Sequence, residues 1–104
     1  MAATVLIWCD IGQGIGVGHA MRCLALAEEL ASREATPLFF ADIGAVPFME
    51  AQLKARQFDY ITPQGSTDEQ AQYIVESLKP SGIIVDSYIL PASIYARLRA
   101  EAPL

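Results

Sequence analysis

The chain has 104 residues, 53% of them hydrophobic and 18% charged, which is typical of one globular domain rather than of a disordered segment. Its formal net charge of −5 argues against nucleic acid or an anionic membrane surface as a partner, since both require a basic patch. No apolar run approaches the ~18 residues of a membrane span, and no basic segment precedes the apolar start. We therefore expect a cytoplasmic protein.

Four short apolar runs predict strands, and four amphipathic stretches predict helices. The predicted strands are Val5–Cys9, Pro37–Ala41, Phe58–Ile61 and Gly82–Val85. The predicted helices cover about 19–33, 47–56, 66–79 and 91 onward, the third of them opening on a Ser66–Glu69 capping box. The apolar face predicted for the first helix consists of Leu24, Ala27, Leu30 and Ala31, widened by Cys23 and Leu26.

The alternation of strands and helices predicts an α/β fold. Because the strand runs are continuously apolar, they are expected to be parallel and buried on both faces. The predicted architecture is a Rossmann-like parallel sheet of strand order 3-2-1-4 with helices on both faces. The sequence ends on a helix where a further strand would be expected. We interpret 1–104 as one domain or part-domain whose excess apolar surface meets a missing second domain or a second copy.

A glycine-rich loop joins the first strand to the first helix. Four of the seven glycines lie within seven residues, at Gly12, Gly14, Gly16 and Gly18. Doubly wound folds hold phosphates at this position, and four alternate glycines are more than the alternative, a flexible turn, needs. The dinucleotide motif G-x-G-x-x-G fails because Val17, His19 and Met21 occupy the positions that need glycine, and no P-loop occurs. We expect no NAD, FAD or P-loop nucleotide, and no cofactor.

His19 is the only histidine and lies at the predicted start of the first helix. The positive end of the helix dipole favours a neutral imidazole, which could act as a general base. A helix cap or a passive phosphate contact is an equal alternative. Asp10 and Asp86 end the first and fourth strands, which would be neighbours at the ligand crevice. Tyr88 and Arg22 could join them there, although each residue alone could be a cap, a packing residue or a surface charge.

The two cysteines, Cys9 and Cys23, are interpreted as small core residues. They lack the spacing of a zinc motif, and two thiols without an export signal favour the reduced state. The sequence therefore predicts no metal site.

The stretch from Asp10 to Ala27 resembles the opening of a known family, the UDP-sugar hydrolases of pseudaminic acid biosynthesis and the related spore coat polysaccharide biosynthesis proteins. Their motif I-G-x-G-H-x-x-R-C-L-x-L-A is matched throughout by Ile15–Ala27, and their V-V-D-x-Y is similar to the run from Ile84 to Tyr88. The chain departs from the family at Trp8, where arginine is usual.

The resemblance implies the N-terminal, sugar-side half of an enzyme built like the GT-B glycosyltransferases. Such an enzyme releases UDP from a diacetamido-trideoxyhexose by water attack without metal. His19 would be the base, and Tyr88 would lie near the sugar. Asp10, Gly16, Gly18, Arg22 and Asp86 would complete a substrate-binding site. The second domain supplies most nucleotide contacts in that family, so we expect little activity from this chain alone.

Two other functions remain open. One is a non-catalytic fragment or paralogue that binds a sugar or a partner chain. The other is the N-terminal half of a GT-B glycosyltransferase. The lipid-linked N-acetylglucosaminyltransferase of peptidoglycan synthesis has a similar glycine loop, but proline follows its histidine motif, whereas Met21 and Arg22 follow here.

Overall fold

The computed structural model describes residues 3–11, 17–86, 90 and 92–101. The strands are β1 (Thr4–Cys9), β2 (Thr36–Phe40), β3 (Asp59–Ile61) and β4 (Gly82–Asp86). The helices are α1 (Val17–Ser32), α2 (Pro47–Arg56), α3 (Thr67–Tyr73) and α4 (Ala92–Glu101). A short 3₁₀ turn, Ile43–Ala45, precedes α2, and a π-helical segment, Ile74–Leu78, continues α3.

The four strands form one parallel sheet of order β3-β2-β1-β4, which confirms the predicted α/β, Rossmann-like fold. The central strand β1 pairs with β2 on one side and with β4 on the other. Because β2 and β4 lie on opposite sides of β1, the strand order reverses next to β1 at the carboxyl edge of the sheet. Ligands of open parallel sheets bind at such a point.

Helices cover both faces of the sheet. One face packs Ile7, Cys9 and Phe39 against buried side chains of α1 and α2. The other packs Leu6, Trp8 and Phe40 against α3, the π-helical segment and α4. Alternate residues of β1 therefore enter two separate cores, as the two-residue period of a strand requires.

Trp8 belongs to the second core. Its side chain is 4% exposed, and its ring meets Phe40 edge-on with centroids 5.2 Å apart. Where the hydrolase family usually has arginine, this chain thus has a packing residue.

The helices differ from the sequence prediction in two respects. Helix α1 begins at Val17, two residues before the predicted start at about His19, so Gly18 lies in its first turn rather than in the loop. Leu26 and Ala31 were wrongly assigned to its buried face, because both are exposed. The buried stripe of α1 is narrower and consists of Ala20, Cys23, Leu24 and Ala27, with Leu30 at its edge.

The capping box of α3 is confirmed. Glu69 N–H donates to Ser66 Oγ at 3.2 Å, and Ser66 N–H donates to Glu69 Oε1 at 3.0 Å. Within the described residues, no helix has both the length and the apolar character needed to cross a membrane.

Candidate active site at the carboxyl edge

The ends of β1 and β4 bring two predicted site residues together. Cys9 pairs in register with Asp86, and Asp10 N–H donates to the Asp86 carbonyl oxygen at 3.4 Å. Asp10 is 9% exposed and is the one buried acidic residue in the part of the chain that the structure describes. Asp86 is half-buried beside it. The predicted convergence of the two aspartates at this edge is therefore observed.

The first turn of α1 places His19 against the end of β4. His19 Nε2 lies 2.8 Å from the main-chain carbonyl oxygen of Asp86. A carbonyl oxygen only accepts, so Nε2 must carry the proton. The side chain of His19 is only 7% exposed. Backbone hydrogen bonding therefore fixes both the orientation of the ring and its tautomer.

Arg22 bridges the other nitrogen of His19 to the carboxylate of Asp86. Its Nη2 donates to His19 Nδ1 at 3.1 Å. The guanidinium also binds Asp86 with two nitrogens, Nη2 at 2.8 Å and Nε at 3.1 Å from Oδ2. Because a guanidinium has only donors, His19 Nδ1 must present its lone pair. In this hydrogen-bond arrangement Nε2 is the donor nitrogen of the imidazole and Nδ1 is the acceptor.

Two opposing effects act on the carboxyl group of Asp86. Partial burial raises its pKa, but the hydrogen bonds of Arg22, electrostatic attraction to His19 and Arg22, and the hydrogen bond of Cys23 together outweigh burial and hold the pKa below its usual value. Asp86 is therefore a carboxylate at neutral pH. The side chain of Arg22 is 59% exposed, so it contacts solvent while its guanidinium pairs with Asp86.

Cys23 also reaches this site, which the sequence analysis missed. Its thiol donates to Asp86 Oδ2 at 3.6 Å. One ligand atom from each of His19, Cys23 and Asp86 lies within 4.8 Å of the other two. The available signal was the four-residue spacing of His19 and Cys23, which puts both on one face of a helix.

Both cysteines are free and buried. A hydrogen bond with Cys23, together with burial, raises the pKa of the Cys9 thiol, so Cys9 is protonated at neutral pH. The prediction that the cysteines are small core residues holds for Cys9. It is incomplete for Cys23, which belongs to the core and to the site.

Among the other predicted residues, Gly18 is exposed in the first turn of α1, and a Cβ added there would meet no atom of the described residues within 4 Å. The fold therefore does not require glycine at this position. Gly16 and Tyr88 lie outside the described residues, as do Gly12 and Gly14. The structure brings together Asp10, His19, Arg22 and Asp86 of the predicted set.

A cavity of about 430 Å³ opens beside the ends of β2 and β3, on the α3 face of the sheet. Phe40 and Tyr73 form its aromatic wall, with their rings stacked at 6.5 Å. Gln64, Glu69 and Gln70 supply polar groups. Its volume and mixed lining are typical of a small-molecule pocket.

The chain matches no model of a known protein family, no curated protein and no solved structure with which it was compared.

Proposed function

We propose that this chain is the N-terminal, sugar-side portion of a cytoplasmic nucleotide-sugar hydrolase that releases UDP, with His19 as the general base. The observation that carries the proposal is the arrangement of His19 next to β1, where the strand order of the sheet reverses. Its Nε2–H is held by a backbone carbonyl, so the lone pair is confined to Nδ1. A base with a fixed orientation and a single basic nitrogen is what water activation requires.

The surroundings of His19 favour an anionic ligand. Helix α1 has sixteen residues and no acidic side chain in its first turn, so its N-terminal dipole is not offset there. Arg22 is exposed and presents the planar donor set that binds phosphate oxygens in pairs. Gly18 leaves the backbone of this turn accessible. A diphosphate against this turn would draw Arg22 away from Asp86 and from His19 Nδ1.

The proposed reaction begins when Arg22 leaves Asp86 and His19 for the diphosphate. Once Arg22 pairs with the diphosphate, a water molecule can donate a hydrogen bond to His19 Nδ1. The water oxygen forms a bond to the anomeric carbon of the sugar as its proton passes to Nδ1. The bond between that carbon and the diphosphate oxygen breaks, and UDP leaves with the electron pair. Asp86 keeps its backbone hydrogen bond to Nε2–H, so the imidazolium that forms stays in place.

The experiment that tests this function joins the chain to a matching second domain and measures release of UDP from a panel of UDP-linked amino sugars, with binding measured separately. Trp8, the only tryptophan, packs on Phe40 beside the carboxyl edge and provides a fluorescence signal for binding. Turnover with release of UDP and free sugar supports the hydrolase. Transfer of the sugar only when an acceptor is present supports a glycosyltransferase instead.

A non-catalytic sugar-binding role is the second candidate, and the aromatic cavity favours it. Phe40 and Tyr73 offer a flat apolar wall, and glutamine side chains can bind hydroxyl groups. One variant distinguishes the two proposed functions. Tyr73→Ala, at an exposed site, should abolish binding by a module of this kind. It should leave the kcat of a hydrolase centred on His19 unchanged.

A further inference from the structure

We propose that His19, Cys23 and Asp86 form a zinc-binding site. The three side chains offer a nitrogen, a sulfur and an oxygen, and this mixed set suits Zn²⁺ and not the hard cations Mg²⁺ and Ca²⁺. One ligand atom of each lies within 4.8 Å of the other two. The inference is independent of the proposed hydrolase activity, since it requires no substrate.

Two of the three distances between ligand atoms are close to those of a tetrahedral zinc site, and the third, between His19 and Cys23, is within 4.8 Å. With the usual Zn–O and Zn–S bond lengths, two ligands at a tetrahedral angle lie ~3.6 Å apart, and for Zn–N and Zn–O the separation is ~3.4 Å. Cys23 Sγ lies 3.6 Å from Asp86 Oδ2, and His19 Nδ1 lies 3.8 Å from the same oxygen. Closing the second distance requires a shift of a few tenths of an ångström.

The tautomer of His19 also fits a metal ligand. A histidine that binds a metal through one nitrogen generally donates the other N–H to a carbonyl or carboxylate oxygen, which orients the ring. Here Nε2–H donates to the main-chain carbonyl of Asp86, and Nδ1 carries the lone pair on the side of the Asp86 carboxylate. His19 and Cys23 lie one helical turn apart on α1, so the same helix face presents both ligands.

A cation already lies among these ligand atoms. Arg22 Nη2 is 2.8 Å from Asp86 Oδ2 and 3.1 Å from His19 Nδ1. The guanidinium therefore places its positive charge next to two of the atoms that would bind zinc. The Arg22 side chain is 59% exposed, so water can replace part of the hydrogen bonding that the guanidinium loses when it turns into solvent. Zinc and Arg22 would therefore compete for the same oxygen and nitrogen. Because zinc takes the lone pair of Nδ1, it would also inhibit any reaction that uses Nδ1 as a base.

Titration of the untagged, reduced protein with Co²⁺ tests the site, followed by displacement with Zn²⁺. We expect the visible absorption of tetrahedral Co²⁺ together with a thiolate charge-transfer band, both removed by Zn²⁺. Cys23→Ser should abolish the charge-transfer band, whereas Cys9→Ser, which changes the neighbouring buried thiol, should retain it. Octahedral Co²⁺ absorption without a thiolate band, or a band that survives Cys23→Ser, would overturn the proposal.

The Arg22→Gln variant provides a test that does not alter the core. Removal of the competing cation should tighten Zn²⁺ binding about tenfold or more, measured by competition with a chromophoric chelator. Arg33→Gln is the matched control, because Arg33 pairs with Glu29 at the far end of α1 and should leave the affinity unchanged. Equal affinity of the Arg22→Gln variant and the wild type would contradict the proposal.

Discussion

His19 Nε2 lies 2.8 Å from the main-chain carbonyl oxygen of Asp86, so the backbone of β4 holds the imidazole and leaves the Asp86 side chain to Arg22. This differs from an arrangement in which a carboxylate orients a catalytic histidine. The backbone carbonyl cannot be removed by substitution of Asp86. The orientation of His19 and the charge next to it can therefore be varied independently.

Substitution of Gly18 should change the stability of the protein and its ligand affinity in opposite directions. We expect Gly18→Ala to stabilise the protein by ~0.5–1 kcal/mol, because alanine is the better helix residue and the added Cβ meets no atom in the part of the chain that the structure describes. The same Cβ projects from the first turn of α1 and should weaken nucleotide-sugar binding about tenfold. Thermal unfolding and a ligand titration measure the two effects. Gly82→Ala, at the opposite edge of the sheet, is the control and should leave binding unchanged; an equal loss of affinity in both variants would refute the role of Gly18.

The ion pair of Arg22 and Asp86 should stabilise the fold more than an ordinary surface pair. A double-mutant cycle of Arg22→Ala and Asp86→Ala should give a coupling free energy of ~1 kcal/mol, limited by the exposure of Arg22. The Arg33–Glu29 pair, with both side chains largely exposed, should give ~0.3–0.5 kcal/mol. Urea unfolding measures both cycles. If the coupling free energy of Arg22–Asp86 is no larger than that of Arg33–Glu29, the ion pair of the site stabilises the fold no more than an exposed surface pair does.

The capping box of α3 predicts a pH dependence. Hydrogen bonds from the main-chain N–H and hydroxyl of Ser66 lower the pKa of Glu69. The folded state therefore binds fewer protons than the unfolded state near the usual carboxyl pKa. The stabilisation that ionised Glu69 contributes is present above about pH 4.3 and is lost as the pH falls through its lowered pKa in the folded state. Between pH 6 and pH 3 the wild type should lose more stability than Glu69→Gln. Asp42→Asn, which removes another carboxylate, should retain the dependence of the wild type.

Gly65, just before the capping box, has a conformational requirement that Gly18 lacks. Its φ is +81°, and an added Cβ would lie 3.0 Å from Glu69 Oε1. We expect Gly65→Ala to reduce the free energy of unfolding by ~1 kcal/mol or more, from backbone strain and disturbance of the Glu69 carboxylate. Gly44→Ala is the comparison, since its Cβ would lie 3.9 Å from the nearest atom. Chemical denaturation of the two variants should separate them clearly, and equal stabilities would contradict this account.

The order of the strands could be predicted because the sequence alternates continuous apolar runs with amphipathic stretches, and few topologies bury such strands on both faces. Asp10 and Asp86 could be placed at one edge for the same reason. The start of α1 was placed two residues late because Gly18 suggests a loop, and the contact of His19 with Asp86 of β4 depends on the folded chain. The role of Cys23 was hidden because its partner Asp86 is 63 residues away.

If His19 Nδ1 accepts the proton of water, the decisive measurement is the steady-state kinetics of UDP release by the His19→Gln variant, made in this chain joined to a matching second domain. The introduced glutamine can still donate to the Asp86 carbonyl from its amide nitrogen but has no basic atom. We predict a ~10²–10⁴-fold fall in kcat with KM nearly unchanged. In His19→Asn the shorter side chain does not reach the position of the histidine Nε2, so kcat should fall at least as far. A His19→Gln enzyme with near-normal kcat and a raised KM would contradict the assignment, since it would make His19 a binding residue alone.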